Sequence, residues 1–168
     1  LVQEADRYLE AGRIADYCPN GLQVEGRPRV ARIVSGVTAS QALLDAAVEA
    51  NADLVLVHHG YFWKNEDARI VGMKQRRLKT LLGHDISLLA YHLPLDVHPE
   101  VGNNVQLGKL LGLCIEGGLE PENPRSVGLV GSLEQPLAPA DFMHRIQQAL
   151  GRQPLMVEGR GPIRRVAW

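Results

Sequence analysis

"LVLVHHGYFW", residues 54–63, joins a run of branched apolar residues to two histidines, a glycine and three aromatics. Leu54 to Val57 has no polar position. An unbroken apolar run of strand length marks a strand covered on both faces, as in a parallel sheet. The neighbouring segments have the rhythm that such a sheet needs. "VARIVSGV" (30–37) is a β-branched strand. "TASQ", with Thr38 and Gln41 at capping-box spacing, opens a helix through Ala50 whose apolar stripe is Leu43, Leu44, Ala47 and Val48. "DLVLVH" (53–58) is the next strand, and a helix over about Ile70 to Leu82 leads to "ISLLAYH" (86–92). A further helix covers about Asn104 to Leu111. Upstream, residues 2–14 read as a helix followed by the Pro/Asn/Gly loop "YCPNGLQVEGRP".

The expected fold is α/β: a mainly parallel sheet flanked by helices in βαβ units over residues 1–115, with a smaller α/β subdomain over 116–168. The division falls at "EGGLEPENP" (116–124), a connector by composition. Beyond it come a strand (126–132), a helix (139–150) and two short strands (154–158 and 163–168). The terminal "RRVAW" reads as a strand in progress, so a segment of a longer parent is expected.

Composition narrows the function classes. The chain has 168 residues, 45% of them hydrophobic, and its apolar runs fall short of a membrane span. A formal net charge of −1 disfavours nucleic acid and acidic lipid as partners. "KQRRLK" (74–79) reads as the solvated face of a helix. Cys18 and Cys114 lie outside any CxxC pattern, which suggests neither a zinc knuckle nor a disulfide framework. With free thiols and a charged, helical opening in place of an export signal, the expected location is the cytoplasm.

Open α/β sheets bind ligands outside the carboxyl ends of their strands. His58 and His59 end one strand, and "YHLPLDVH" (91–98) ends another. If those strands are neighbours, His58, His59, His92, Asp96 and His98 share one rim. Imidazole with carboxylate is a ligand set for zinc, manganese, iron or nickel. Adjacent strand residues point to opposite faces, so His58 and His59 are expected to serve two ions rather than chelate one. The competing reading is a polar strand exit, with Asp96 capping a turn beside Pro94 and Pro99. His92 reads as a group that supports the ligands from behind or faces substrate rather than as a direct ligand, and His84, His98 and His144 read as solvated. Other chemistries are weaker: GxxxxGK[ST] and GxSxG are absent, and "GLVGSLEQ" lacks the third glycine of a dinucleotide fingerprint.

"YCPNGLQVEG", "GVTASQALLDAAVEANADLVLVHHGYFWK" and "YHLPLDVHPEVGNNVQLGKLLGL" resemble the family of GTP cyclohydrolase I type 2 homologues, also described as Nif3-like dinuclear-metal-centre hexameric proteins. The resemblance implies two similar halves around a two-metal site in a ring-shaped homohexamer. Its first-half ligands fall on His58, His59 and Asp96, with His92 beside the metals and with Pro19–Gly21 and Gly102–Asn104 lining the cleft. Family members carry a second half whose His…Glu pair completes the site, so this chain is expected to hold part of it. The function implied is metal-dependent hydrolysis of a nucleotide or similar small molecule, in which His92 orients substrate or moves a proton. The rival is a non-enzymatic, metal-containing ring that acts as a scaffold or regulator.

Overall fold

The computed structural model describes residues 1–157 and 159–168. The chain divides into two compact units, Leu1–Leu95 and Asp96–Trp168. That boundary lies earlier in the chain than the composition shift at 116–124.

The first unit holds α1 (Val2–Tyr8), β1 (Gly21–Val24), β2 (Ile33–Thr38), α2 (Gln41–Glu49), β3 (Leu54–His59), α3 (Gly72–Gly83) and β4 (Ser87–Ala90). Its sheet has the order β1-β4-β3-β2. β2, β3 and β4 run parallel, joined by α2 and α3 as the βαβ rhythm requires. β1 pairs antiparallel with β4, so the sheet is mixed. The expectation of a mainly parallel sheet therefore holds for three strands only.

β3 lies between two apolar layers, which is why its sequence carries no alternation. Val55 and Val57 pack with Leu44, Ala47, Leu78 and Leu81 from α2 and α3. Leu54 and Leu56 pack the other way, with Leu9, Leu89 and Tyr91. α2 is capped by Ser40, whose Oγ accepts from Leu43 N–H (3.3 Å). The cap thus sits two residues beyond the Thr38 expected from the capping-box spacing. The N-terminal helix is shorter than expected because Glu10 turns into the left-handed region (φ 51°), leaving only a 3-10 turn at Ala11–Arg13.

The one-turn α4 (Leu93–Asp96) ends at the first residue of the second unit. That unit then holds α5 (Asn103–Leu110), β5 (Leu113–Gly118), β6 (Leu129–Leu137), α6 (Pro139–Leu150) and β7 (Ile163–Ala167). Its strands form an antiparallel sheet, β5-β6-β7, around Leu111, Leu113, Leu133 and Phe142. No strand forms over 154–157, and the last position of the strand expected at 154–158 lies outside the described residues. No helix among the described residues is long and apolar enough to cross a membrane.

Candidate metal centre

β3 runs to His59, so both histidines belong to the strand, and Thr38 of β2 stands opposite His59 in the parallel register. Gly60 follows because nothing larger fits. A Cβ there would lie 2.2 Å from Gln23 Oε1 and 2.7 Å from the Ala90 Cβ. Gln23 Oε1 in turn accepts from Tyr61 N–H (2.7 Å), which ties the strand exit to the β1 region.

The two imidazoles do not splay to opposite faces, as regular strand geometry led us to expect. Their ring centroids are 4.6 Å apart and the planes are tilted by 49°. His92 joins them from the segment after β4, with centroids 5.0 Å from His58 and 5.7 Å from His59. One ligand-capable atom of each of the three histidines lies within 4.8 Å of the other two.

Hydrogen bonds select the nitrogen that each ring presents. His58 Nδ1 stands 2.9 Å from the Tyr91 carbonyl oxygen. A carbonyl only accepts, so Nδ1 carries the proton and the neutral ring keeps its lone pair at Nε2. His92 Nδ1 is 2.8 Å from Asp16 Oδ1, which fixes that ring in the same way. His59 Nδ1 meets the Thr38 hydroxyl at 3.1 Å, a partner that can donate or accept.

Asp16 is the residue that sequence reasoning missed. Its side chain is 2% exposed, and its carboxylate accepts four hydrogen bonds. Oδ1 takes Tyr17 N–H (2.6 Å) and His92 Nδ1–H; Oδ2 takes Asn20 Nδ2 (2.8 Å) and Leu93 N–H (2.9 Å). Burial opposes its ionisation, but the hydrogen bonds from Asn20, His92, Tyr17 and Leu93 outweigh that and hold the carboxyl below the usual range. Asn20 Oδ1 also accepts from His92 N–H (2.7 Å), so Asp16 and Asn20 together clamp the His92 segment.

Asp16, Cys18 and His92 also lie close enough to suggest a second metal set. Chemistry argues against it. The four acceptor positions of Asp16 are filled, and burial and then the Asp16 charge push the Cys18 thiol up to about 11. This cluster orients His92.

Asp96 belongs to the second unit, where its Oδ1 accepts from Asn103 Nδ2 (2.8 Å). His98, expected in solvent, is buried, and its Nδ1 accepts from Glu100 N–H and Val101 N–H (3.2 Å each) in the loop before α5. His84 and His144 are exposed, as expected. Trp63 closes one side of the histidine group, its indole perpendicular to the His92 ring at 5.0 Å.

Fold and site define an α/β protein that gathers imidazoles at the carboxyl end of a parallel strand. The chain belongs to the Duf34/NIF3 (NGG1p interacting factor 3) family, which it matches over residues 1–168. It is 74% identical over 168 residues to a Pseudomonas aeruginosa protein named GTP cyclohydrolase 1 type 2 homolog, covering 100% of this chain and 67% of that one. Vibrio cholerae has a protein of the same name, 59% identical over 144 residues, with 86% and 57% covered. Among solved structures, the protein ybgI, described as of unknown function, superposes with a TM-score of 0.93 at 51% identity, over 99% of this chain and 66% of that one. TTHA1606 from Thermus thermophilus superposes with a TM-score of 0.81 at 36% identity, over 97% and 66%. The chain thus spans about two thirds of the length of most of these relatives.

Proposed function

We propose that the chain supplies part of the divalent-metal centre of a hydrolase acting on a nucleotide or a similar small molecule. The convergence of His58, His59 and His92, with Nδ1 of the ligand candidate His58 committed to the Tyr91 carbonyl, carries this reading. Histidines that ligate metals characteristically hold their other nitrogen in such a bond, which fixes the tautomer and aims the free lone pair. His58 and His59 would hold the metal. Asp96 as a further ligand and a second ion rest on the sequence pattern and the resemblance, and a homohexameric ring on the resemblance alone.

A bound divalent ion supplies Lewis acidity and lowers the pKa of its water toward neutrality. His92 does the proton work in this reading. Its Nδ1 proton is held by Asp16, so Nε2 is the atom that takes a proton from the attacking water or returns one to the leaving group. Asn20 and Asp16 hold the backbone at His92 and Leu93, which keeps Nε2 aimed at the cluster.

The test is metal content together with nucleotide turnover in the full-length protein. His59→Ala should lose both. His92→Ala should keep its metal and lose turnover by about 100-fold or more, the usual worth of a positioned general base. Turnover that survives complete metal removal sinks the hydrolase reading. Bound metal with no turnover of any nucleotide supports the non-enzymatic scaffold instead.

A further inference from the structure

The loop after the histidine pair holds an aromatic residue for which the metal chemistry has no use. Phe62 adopts φ 64° and Asn65 φ 68°, both in the left-handed region. For a bulky aromatic such as Phe62 that conformation is a true outlier, and strain of this kind persists only where neighbouring contacts impose it. The contacts here are specific. Tyr61 is buried and donates its hydroxyl to the Ala39 carbonyl (2.8 Å). Phe62 turns onto the same core cluster, at a right angle to the Tyr61 ring (88°) and beneath Lys74 Nζ at 5.4 Å. Two consecutive aromatics are thereby drawn into the core, and the third is thrown out toward the histidines.

Trp63 is then locked in place. Its indole Nε1–H donates to the Gly60 carbonyl (3.2 Å), its backbone N–H donates to Glu66 Oε2 (3.1 Å), and Glu66 N–H returns a bond to its carbonyl (2.9 Å). The ring stands 5.0 Å from His92 and 6.2 Å from His59, and it remains half-buried. A perpendicular contact with His92 occupies at most one of the two indole faces. The neighbouring Lys64 N–H donates to the Tyr17 carbonyl (2.6 Å), which brings a second, exposed aromatic residue beside the same loop.

We propose that Trp63 is a specificity-determining residue whose indole stacks the purine ring of the substrate beside the His58, His59 and His92 cluster. This rests on the reading of that cluster as the substrate site. A rigid, pre-placed indole loses little entropy on binding, and a fused bicyclic ring offers it the largest overlap. Stacking accepts any purine, so Trp63 selects for a base without choosing among bases.

Trp63 and Trp168 are the chain's two tryptophans. In the full-length protein carrying Trp168→Phe, with any tryptophan outside residues 1–168 also replaced by Phe, emission reports on Trp63 alone. Guanosine and GTP should quench it saturably, and inorganic tripolyphosphate should not. With Trp168 intact, Trp63→Ala should weaken GTP binding in calorimetry by about 5- to 150-fold, the worth of one base–aromatic stack. Trp63→Phe should recover most of that loss, with metal content equal in all three proteins. Emission unmoved by guanosine, or wild-type GTP affinity in Trp63→Ala, overturns the proposal. So does loss of metal in Trp63→Ala, which would make the indole a support for the histidines. If the wild-type protein holds no metal while guanosine still quenches Trp63, the metal reading fails and the stacking residue stands.

Discussion

Asp53 pins the entrance to β3. Its Oδ2 accepts from Ala31 N–H and Arg32 N–H (2.8 Å each), and its Oδ1 accepts from Arg27 (3.0 Å). Those two backbone bonds, followed by the Arg27 charge, hold its carboxyl below the usual range against the opposing effect of burial. A carboxyl whose folded pKa is depressed contributes stability above its unfolded pKa and loses it as pH falls through the folded value. Asp53→Asn should therefore lower the melting temperature at neutral pH and flatten its fall below about pH 4, the ordinary carboxylate value. A melting curve with an unchanged acid limb would remove Asp53 from that role. At the other end of β3, Gly60→Ala drives a methyl into Gln23 and Ala90. The variant should fold less stably and, under the proposed function, lose metal affinity as well, both measurable on one sample. Cys18, buried and with its thiol pushed up to about 11, should resist iodoacetamide at pH 8 in the native protein, whereas the exposed Cys114 reacts. Peptide mapping after brief labelling distinguishes the two.

Among the elements, α2 and α3 matter because they cover one face of the sheet that carries the histidines. Leu81 of α3 is fully buried against Leu44, Val55 and their neighbours. Leu81→Ala should cost about 2–5 kcal/mol in urea unfolding, a transfer loss plus a cavity. A cost below about 1 kcal/mol would mean that the layer collapses onto the gap. Ser40→Ala removes the α2 cap and should cost about 1 kcal/mol. At this scale the helices and parallel strands were legible in advance, because an apolar run or a 3.6-residue stripe is written locally. β1 was not. It is a four-residue strand with no alternating pattern, and its antiparallel pairing with β4 comes from a distant segment returning to the sheet edge.

At the scale of the whole chain, a net charge of −1 over residues 1–168 offers little general attraction to nucleic acid. Filter binding at low salt should show no steeply salt-dependent DNA affinity, and a strong one would reverse that view. Native mass spectrometry of the full-length protein tests the hexamer that the resemblance implies. By itself the sequence determined the buried parallel strand, its helical neighbours, and the placing of His58, His59 and His92 where strands end. Those features depend on composition and spacing within a few residues. Only the tertiary structure decided how the site is wired. The Asp16 bond to His92 joins residues 76 apart in sequence, and the His58 bond to the Tyr91 carbonyl joins residues 33 apart. The strand pair also turned out to be convergent rather than splayed. Such pairings follow the path of the chain through space, and no local pattern of residue types encodes that path.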